Sequence, residues 1–348
     1  MSRRLTLWGG AALALLLFSV VASLSLGSVR LPLSDVWGVM LHQLPLPSGW
    51  LDAGTWPEQT EQIILKIRLP RVALAVVVGA SLSLAGAGFQ GVLRNPLADP
   101  YTLGVASGSA VGAAFLLLTG IQIAGLGQWT VPVVAFGTGL LTLALVLRMG
   151  REQGKLRMET LLLSGVVLQA FLGAIVSFMV SLSNQVVNQI VYWLMGSLSL
   201  HGWPYTAALL PYLAVGFVVL LCYSRSLNLF ALGERQAAHL GIRVERTKVI
   251  VLVVCTLMTA GAVAVAGTIG FVGLVVPHLV RLLAGPDYRL LLPLSALLGS
   301  VYMLWADTLA RTLLSPTEIP LGVVTAFIGA PFFAYLLRRR KKGARSAG

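Results

Sequence analysis

Residues 72–93 read VALAVVVGASLSLAGAGFQGVL, an unbroken stretch without Asp, Glu, Lys or Arg. An α-helix needs about 20 apolar residues to cross the hydrocarbon core of a membrane, so this stretch predicts a transmembrane helix. Six further uncharged runs lie at 5–29, 100–147, 160–224, 249–280, 290–306 and 319–337. The chain is therefore predicted to be an all-α integral membrane protein that crosses the bilayer repeatedly.

The composition excludes most soluble classes. Of the 348 residues, 57% are hydrophobic and only 11% are charged, with a mean hydropathy of +0.87. A soluble domain carries about 25% charged residues, so a disordered chain, a coiled coil and a cytosolic enzyme are all excluded. The net charge of +13 does not indicate nucleic-acid binding, because no basic stripe has interleaved aromatic residues. Cys222 and Cys255 lie in apolar runs without CxxC spacing and predict neither a disulfide framework nor a metal site.

The runs predict ten spans in a single domain. Run 100–147 divides at 120–129, and run 160–224 holds two spans and a polar outer segment at 181–202 with a short helix. Run 249–280 is expected to break at 267–270 and at Pro277 into one full and one short helix. The predicted order is a first span (5–26, a retained anchor rather than a cleaved signal peptide), an outer loop (27–71), spans two to six (72–224), a cytoplasmic loop (225–248), spans seven to ten (249–337) and a basic tail (338–348).

Positive charge predicts the orientation. Lys and Arg are retained on the cytoplasmic side of short loops, and with ten spans all but five of the 25 basic residues fall on one side. The five are Arg30, Lys66, Arg68, Arg71 and Arg311. Both termini are therefore predicted to be cytoplasmic.

Several short motifs carry a family resemblance. They are 68-RLPR-71, 86-GAGFQG-91, 94-RNPLADPYTLGV-105, 267-GTIGFVGLVVPH-278, Leu292-Pro293, Ala306-Asp307, 318-EIPLG-322 and 329-GAPF-332. In this order, from about residue 26 to residue 338, the chain resembles the FecCD family of ABC-transporter permeases. The resemblance implies a type II importer permease, multi-pass in the bacterial cytoplasmic (inner) membrane. Such a permease forms a homodimer that works with two ATP-binding subunits and a periplasmic or lipid-anchored substrate-binding protein. The substrate implied is a metal chelate, with a ferric siderophore favoured over haem or cobalamin.

The chain has no nucleotide site of its own. A Walker A loop has the pattern G-x4-G-K-[ST], whereas 150-GREQGKL-156 is one residue short and has Leu156 in place of the hydroxyl. ATP and magnesium are therefore assigned to a partner subunit, and the chain is predicted not to be an enzyme. His201 and His278 each lack a second ligand at helical spacing and are predicted to be structural.

The loop 225–248 has an amphipathic pattern. Leu229, Leu232, Ala237 and Leu240 recur at helical spacing, which predicts an apolar face that needs a partner. That partner is either the membrane surface or, as the resemblance implies, the ATPase subunit. The predicted coupling residues are Leu229, Leu232, Gly233, Glu234, Arg235, Ala237, Ala238, Leu240 and Gly241.

Arginines mark the opposite end of the spans. Arg68 and Arg71 are one helical turn apart, and Arg311 ends the ninth span on the same side. Either these guanidiniums anchor the spans at the lipid interface, or they bind carboxylates of a substrate-binding protein, as the resemblance implies. Asp307 is one turn from Arg311 and is expected to form a local ion pair with it.

Glycines and prolines mark packing and breaks. Gly104, Gly108 and Gly112 recur every four residues and predict a close helix contact. Asn95 and Pro96 predict a break after the second span, which is structural or part of the pathway.

Two other classes stay open on these residues. An ion-coupled secondary transporter needs ionisable groups within the membrane, and a membrane enzyme needs clustered His, Asp or Glu, and the sequence offers little of either.

Overall fold

The computed structural model describes residues 2–27, 29–43, 56–183, 185–199 and 202–345, with side chains between residues 6 and 335 of those ranges. In chain order the helices are α1 (Ser2–Ser25), α2 (Leu33–His42), α3 (Glu58–Gln62), α4 (Leu69–Val92), α5 (Val105–Thr119), α6 (Thr130–Met149), α7 (Met158–Leu182), α8 (Val187–Met195), α9 (Trp203–Cys222), α10 (Ser224–Phe230), α11 (Glu234–His239), α12 (Val244–Ala266), α13 (Val272–Ala284), α14 (Tyr288–Thr312) and α15 (Leu321–Arg345). A small hairpin of β1 (Arg151–Glu152) and β2 (Lys155–Leu156) joins α6 to α7.

Ten apolar helices stand where ten spans were predicted. Within the described residues, seven are long and apolar enough to cross a membrane: Thr6–Ser25, Glu58–Val92, Gly127–Met149, Met158–Leu182, Trp203–Cys222, Val244–Ala266 and Tyr288–Thr312. Three shorter apolar helices, Val105–Thr119, Val272–Ala284 and Leu321–Tyr335, fill the remaining places. The predicted all-α membrane fold is confirmed, and the sidedness of the termini stays a prediction.

The second span begins earlier than its uncharged run. Helix α3, a π-helical turn at Ile63–Arg68 and α4 form one continuous helix, so the predicted outer loop 27–71 is helical in its last part and also contains α2. Charged side chains interrupt the run at Arg68 and Arg71, but both find acceptors inside the protein. The helix continues through both arginines, and its first part, residues 58–68, precedes the uncharged run.

Helix α4 is the centre of the fold. It is buried along nearly its whole length, and α9, α12, α13 and α14 pack around it. A Cβ on Gly86 would lie 1.9 Å from the carbonyl oxygen of Gly273 in α13, and a Cβ on Gly79 would lie 2.3 Å from that of Gly299 in α14. Small residues at these crossings let the helix backbones touch, which is how membrane helices pack tightly.

The run 249–280 breaks once and not twice. Helix α12 ends at Ala266 and α13 begins at Val272, as the glycines predicted, but α13 continues through Pro277. Proline removes the hydrogen bond to the carbonyl four residues earlier, here that of Gly273. The side-chain amide of Gln90 donates to that oxygen at 3.3 Å, so the freed carbonyl keeps a partner. Prediction of a second break at Pro277 was therefore wrong.

The polar outer segment 181–202 contains the short helix α8, as predicted. Asn184, Leu200 and His201 of that segment lie outside the described residues.

Candidate transport pathway and docking surfaces

An apolar groove of about 590 Å³ lies on one side of the chain. Its wall is formed by the end of α8 (Leu194, Met195), the break between α12 and α13 (Thr268, Gly270, Phe271) and one face of α15 (Gly322, Val323, Ala326, Phe327, Ala330, Pro331). Thr268 contributes the one polar side chain among these residues. No charge therefore lines the groove, and its outermost residue, Phe327, is 76% exposed.

Backbone contacts fix the three segments that form the groove to one another. The N–H of Ser197, just after α8, donates to the carbonyl of Ala266 at 2.8 Å, and the N–H of Leu321 donates to the carbonyl of Gly196 at 3.0 Å. A Cβ on Gly322 would lie 2.5 Å from the carbonyl oxygen of Met195. The end of α8, the end of α12 and the start of α15 thus meet without intervening side chains.

The break between α12 and α13 contains two left-handed residues. Gly267 has φ of 71°, and Phe271 has φ of 70° although it carries a side chain. A non-glycine residue in this region costs about 1–2 kcal/mol. Gly329 of α15 makes room for it, since a Cβ there would lie 2.5 Å from the Phe271 ring. This part of the groove wall is therefore held in an unusual backbone conformation by its neighbours.

The connection between α4 and α5 is ordered by local hydrogen bonds. Arg94 adopts a left-handed conformation, with φ of 49°. The Asn95 carboxamide oxygen accepts from the N–H of Leu97 at 2.9 Å. Pro96 disfavours a helical conformation for Asn95, so the helix cannot continue. The Asp99 carboxylate accepts from the N–H of Tyr101 at 2.8 Å and begins a 3₁₀ turn. The chain breaks at Asn95 and Pro96 as the sequence indicated, and a pathway role for this segment stays a prediction.

Two of the three spaced glycines form a close contact with α6. A Cβ on Gly108 would lie 2.0 Å from the Thr142 hydroxyl, and one on Gly112 would lie 2.4 Å from the Thr138 hydroxyl. Gly104 instead adopts a left-handed conformation, with φ of 75°, at the start of α5. The predicted stripe is thus a packing surface at two positions and a helix cap at the third.

The three outer arginines lie together in one ion cluster. Arg71 contacts Asp307 at 2.9 Å and Glu318 at 2.9 Å, and Arg311 contacts Asp307 at 3.0 Å, which agrees with the expected local pair. Arg68 donates instead to backbone carbonyls at the end of α1, among them Ser25 at 2.9 Å. The cluster thereby ties α1, α4 and α14 to the loop that follows α14.

The accessible member of this cluster is an acid. Arg68, Arg71 and Arg311 are 5%, 12% and 7% exposed, whereas Glu318 is 42% exposed. From the sequence, all three guanidiniums were predicted to face the outside. That prediction was wrong, because their N–H groups donate to acceptors within the protein. Burial alone would raise the pKa of Glu318, but hydrogen bonds from Arg71 and Ser199 outweigh it and hold that pKa below its usual range.

The loop between α9 and α12 forms two short helices, α10 and α11. Gly233, with φ of 107°, separates α10 from α11, and Gly241, with φ of 84°, follows α11. Leu232 and Leu240 are 60% and 58% exposed. Ala237 is fully buried in the chain's own core and Leu229 is half-buried against it, while Arg235 and Ala238 are exposed. The predicted single apolar face is therefore split, and only Leu232 and Leu240 remain for a partner.

A buried lysine fastens this loop. The Lys248 ammonium, 2% exposed, contacts Glu234 at 2.6 Å and Glu245 at 3.2 Å and donates to the carbonyl of Leu156 at 3.2 Å. Glu245 in turn accepts from the N–H of Leu156 at 2.9 Å. Helix α11, the start of α12 and the hairpin are thus joined at one point. Glu234, a predicted coupling residue, is used inside the chain rather than presented to a partner.

In the described part of the chain, no group of three or more His, Cys, Asp or Glu side chains could hold a metal ion. Cys222 and Cys255 are free thiols, and His278 packs at 6.4 Å against the ring of Phe333.

Comparison with known proteins assigns the family. The model of the FecCD transport family matches residues 15–339, and the chain belongs to this family. The ABC transporter permease YvrB of Bacillus subtilis is 45% identical, with 94% of this chain and 92% of that protein covered. The cobalamin import system permease of Halobacterium salinarum is 42% identical, with 98% of each covered.

A solved structure described as a metal-chelate type ABC transporter in an inward-facing conformation agrees with this fold. It has a TM-score of 0.81 at 33% identity, covering 95% of this chain and 98% of that chain. The predicted family, fold and permease class are confirmed. The chain is a multi-pass membrane permease subunit of an ABC transporter, not itself an enzyme, and its family works with ATPase and substrate-binding partners.

Proposed function

We propose that this permease imports a metal chelate across the bacterial cytoplasmic membrane, with a ferric siderophore as the first candidate and haem or cobalamin as the others. The names of its relatives support this class. The chain itself binds no cofactor in this proposal; ATP and magnesium belong to two ATP-binding subunits. Both termini face the cytoplasm, where the basic clusters lie.

A second copy of the chain completes the pathway. One chain provides only one wall of the apolar groove, and Phe327 stands exposed at its edge. A twofold axis beside α15 would face two such walls across one pathway, with identical contacts on both copies. The uncharged wall suits a bulky chelate that slides past without being held by ion pairs.

The observation that carries the coupling to ATP is the pair of exposed leucines on the loop between α9 and α12. Leu232 and Leu240 project from a loop whose other large apolar residues are buried or half-buried. Exposed apolar surface can mark a protein or a membrane contact, and this proposal assigns the two leucines to the ATPase subunit. ATP binding in the partner would move this loop and, through it, the helices of an alternating-access cycle.

The test is the double variant Leu232→Asp, Leu240→Asp. We expect it to lose the ATPase subunit, or to keep it without ATP-driven uptake, while the helices stay inserted. Leu313→Asp with Leu314→Asp places the same change on two equally exposed leucines after α14 and should keep the ATPase. Normal uptake and ATPase binding in the first variant would contradict docking at this loop. If the variant keeps the ATPase but is extracted from the membrane more easily, the membrane-surface alternative is supported.

The substrate-binding protein docks, in this proposal, over the outer ion cluster. Glu318 is its accessible group, with Arg71 only 12% exposed beside it, so a complex formed through these charges should weaken as salt rises. Reversal of Arg68, Arg71 and Arg311 to Glu should abolish the complex, although their burial means that folding must be checked first. Glu318→Gln frees one guanidinium with little structural cost and should strengthen binding to a carboxylate-bearing partner. Affinity that ignores both salt and Glu318→Gln would exclude docking here.

A further inference from the structure

The break between α12 and α13 leaves backbone groups without helical partners. Ile269 lies in its middle, and its side chain is buried. Its N–H donates to the Tyr101 hydroxyl at 3.0 Å, and its carbonyl accepts from the same hydroxyl at 2.9 Å. One hydroxyl thus satisfies both groups, at a point where Thr268 and Gly270 on either side line the groove.

Tyr101 reaches the break from a rigid base. Its own N–H is bound by the Asp99 carboxylate at 2.8 Å, and the Thr102 hydroxyl donates to the Asp99 carbonyl at 2.7 Å. The ring of Pro100 lies against Gly273 in the first turn of α13. The segment 94–101, between α4 and α5, therefore contacts both the break and the helix that follows the break.

The other end of the segment 94–101 touches the loop between α9 and α12, which the proposed function makes the coupling loop. The Arg94 guanidinium lies 3.6 Å from the Glu234 carboxylate at the start of α11, and Glu234 also holds the buried Lys248 at 2.6 Å. Six residues lie between Arg94 and Tyr101, so a short, hydrogen-bonded stretch rather than a long loop joins α11 to the break.

We propose that Tyr101 is a positioning residue of the pathway: it holds the α12–α13 break against the groove, and the segment 94–101 places that break under the control of the coupling loop through Arg94 and Glu234. This inference rests on the proposed function, because it requires an ATPase at the loop. It assigns Tyr101 no contact with substrate. Its effect is on the position of the groove wall.

The test uses a thiol reporter on the break. Gly270→Cys adds a side chain where no atom lies within 4 Å of the new Cβ, and Cys222→Ser removes the exposed native thiol while Cys255 is buried. The labelling rate of residue 270 is measured in the complex with the ATPase, with and without ATP. We expect ATP to change the rate. Tyr101→Phe removes the hydroxyl and both of its hydrogen bonds to Ile269. It should reduce that change by at least about twofold, since the loss of a single hydrogen bond already corresponds to about two- to tenfold.

Three variants separate positioning from general stability. Tyr302→Phe removes another tyrosine hydroxyl, which donates to the Thr325 carbonyl at 3.1 Å, and should lower the melting temperature without altering the response to ATP. Arg94→Ala should weaken the response, and Arg94→Lys should restore part of it.

The outcomes distinguish the two proposals. Failure of the ATPase to bind the unsubstituted chain would overturn the proposed function itself. A bound ATPase with no effect of ATP on residue 270, or an unchanged effect in Tyr101→Phe, would overturn only the role of Tyr101 and its segment.

Discussion

Replacement of Asp307 by Asn tests the outer ion cluster most sharply. Asp307 is almost fully buried and contacts two guanidiniums, Arg71 at 2.9 Å and Arg311 at 3.0 Å. The variant keeps the side-chain shape but removes the charge between two buried cations. Removing one partner of a buried ion pair costs about 3–5 kcal/mol, because the remaining charge stays buried without compensation.

Glu318→Gln is the matched comparison, because it removes the other acid of the same cluster. Glu318 is 42% exposed, so water replaces much of what Arg71 loses, and the expected cost is about 1 kcal/mol or less. The assay is denaturant unfolding of the purified chain in detergent, with helix content as the signal. Equal costs for the two variants, or a cost below about 1 kcal/mol for Asp307→Asn, would refute the cluster as the buried link between α4 and α14.

Three further predictions concern a helix crossing, the pH dependence of the outer cluster and the buried lysine. Gly108→Ala should destabilise the chain by about 1–3 kcal/mol, because its Cβ would lie 2.0 Å from the Thr142 hydroxyl, whereas Gly137→Ala on α6 meets no atom within 4 Å and should be neutral or stabilising in the same unfolding assay. Because the pKa of Glu318 is lowered, the stability that its carboxylate contributes is complete above the ordinary glutamate pKa and is lost as the pH falls through the lowered value. Over that pH range the unfolding midpoint should drop in the unsubstituted chain and should drop less in Glu318→Gln. Lys248→Ala should leave Glu234 and Glu245 without their buried partner and so increase protease cleavage between α10 and α11. Lys155→Ala, at an exposed residue of the hairpin, should not increase this cleavage. Equal cleavage in both variants would contradict the fastening role of Lys248.

The spans could be predicted because their signal is local. Uncharged runs, glycines at 120–129 and 267–270 and the proline after Asn95 each act on the backbone within a few residues, and the helices end or break there. The start of the second span was missed because Arg68 and Arg71 look like the end of a membrane segment. Their acceptors are Asp307, Glu318 and carbonyls of α1, which no local pattern reveals.

The candidate functional residues could be predicted only in part from the sequence. Leu232 and Leu240 were found by helical spacing, but spacing did not distinguish them from Ala237, which turns inward. Tyr101 and Glu318 both lie within motifs quoted for the family, yet their roles depend on Ile269 and Arg71, each more than 150 residues away in the chain. Such pairs become visible only when the helices are packed.

ATP-driven uptake into proteoliposomes tests the central claim most directly. The permease is reconstituted with its ATPase subunit, and the binding protein is added outside with the metal chelate that it retains on purification. We expect accumulation that requires ATP at the ATPase face, requires the binding protein and is lost in Leu232→Asp, Leu240→Asp. Accumulation driven by a proton or sodium gradient without ATP would contradict the account and favour a secondary transporter.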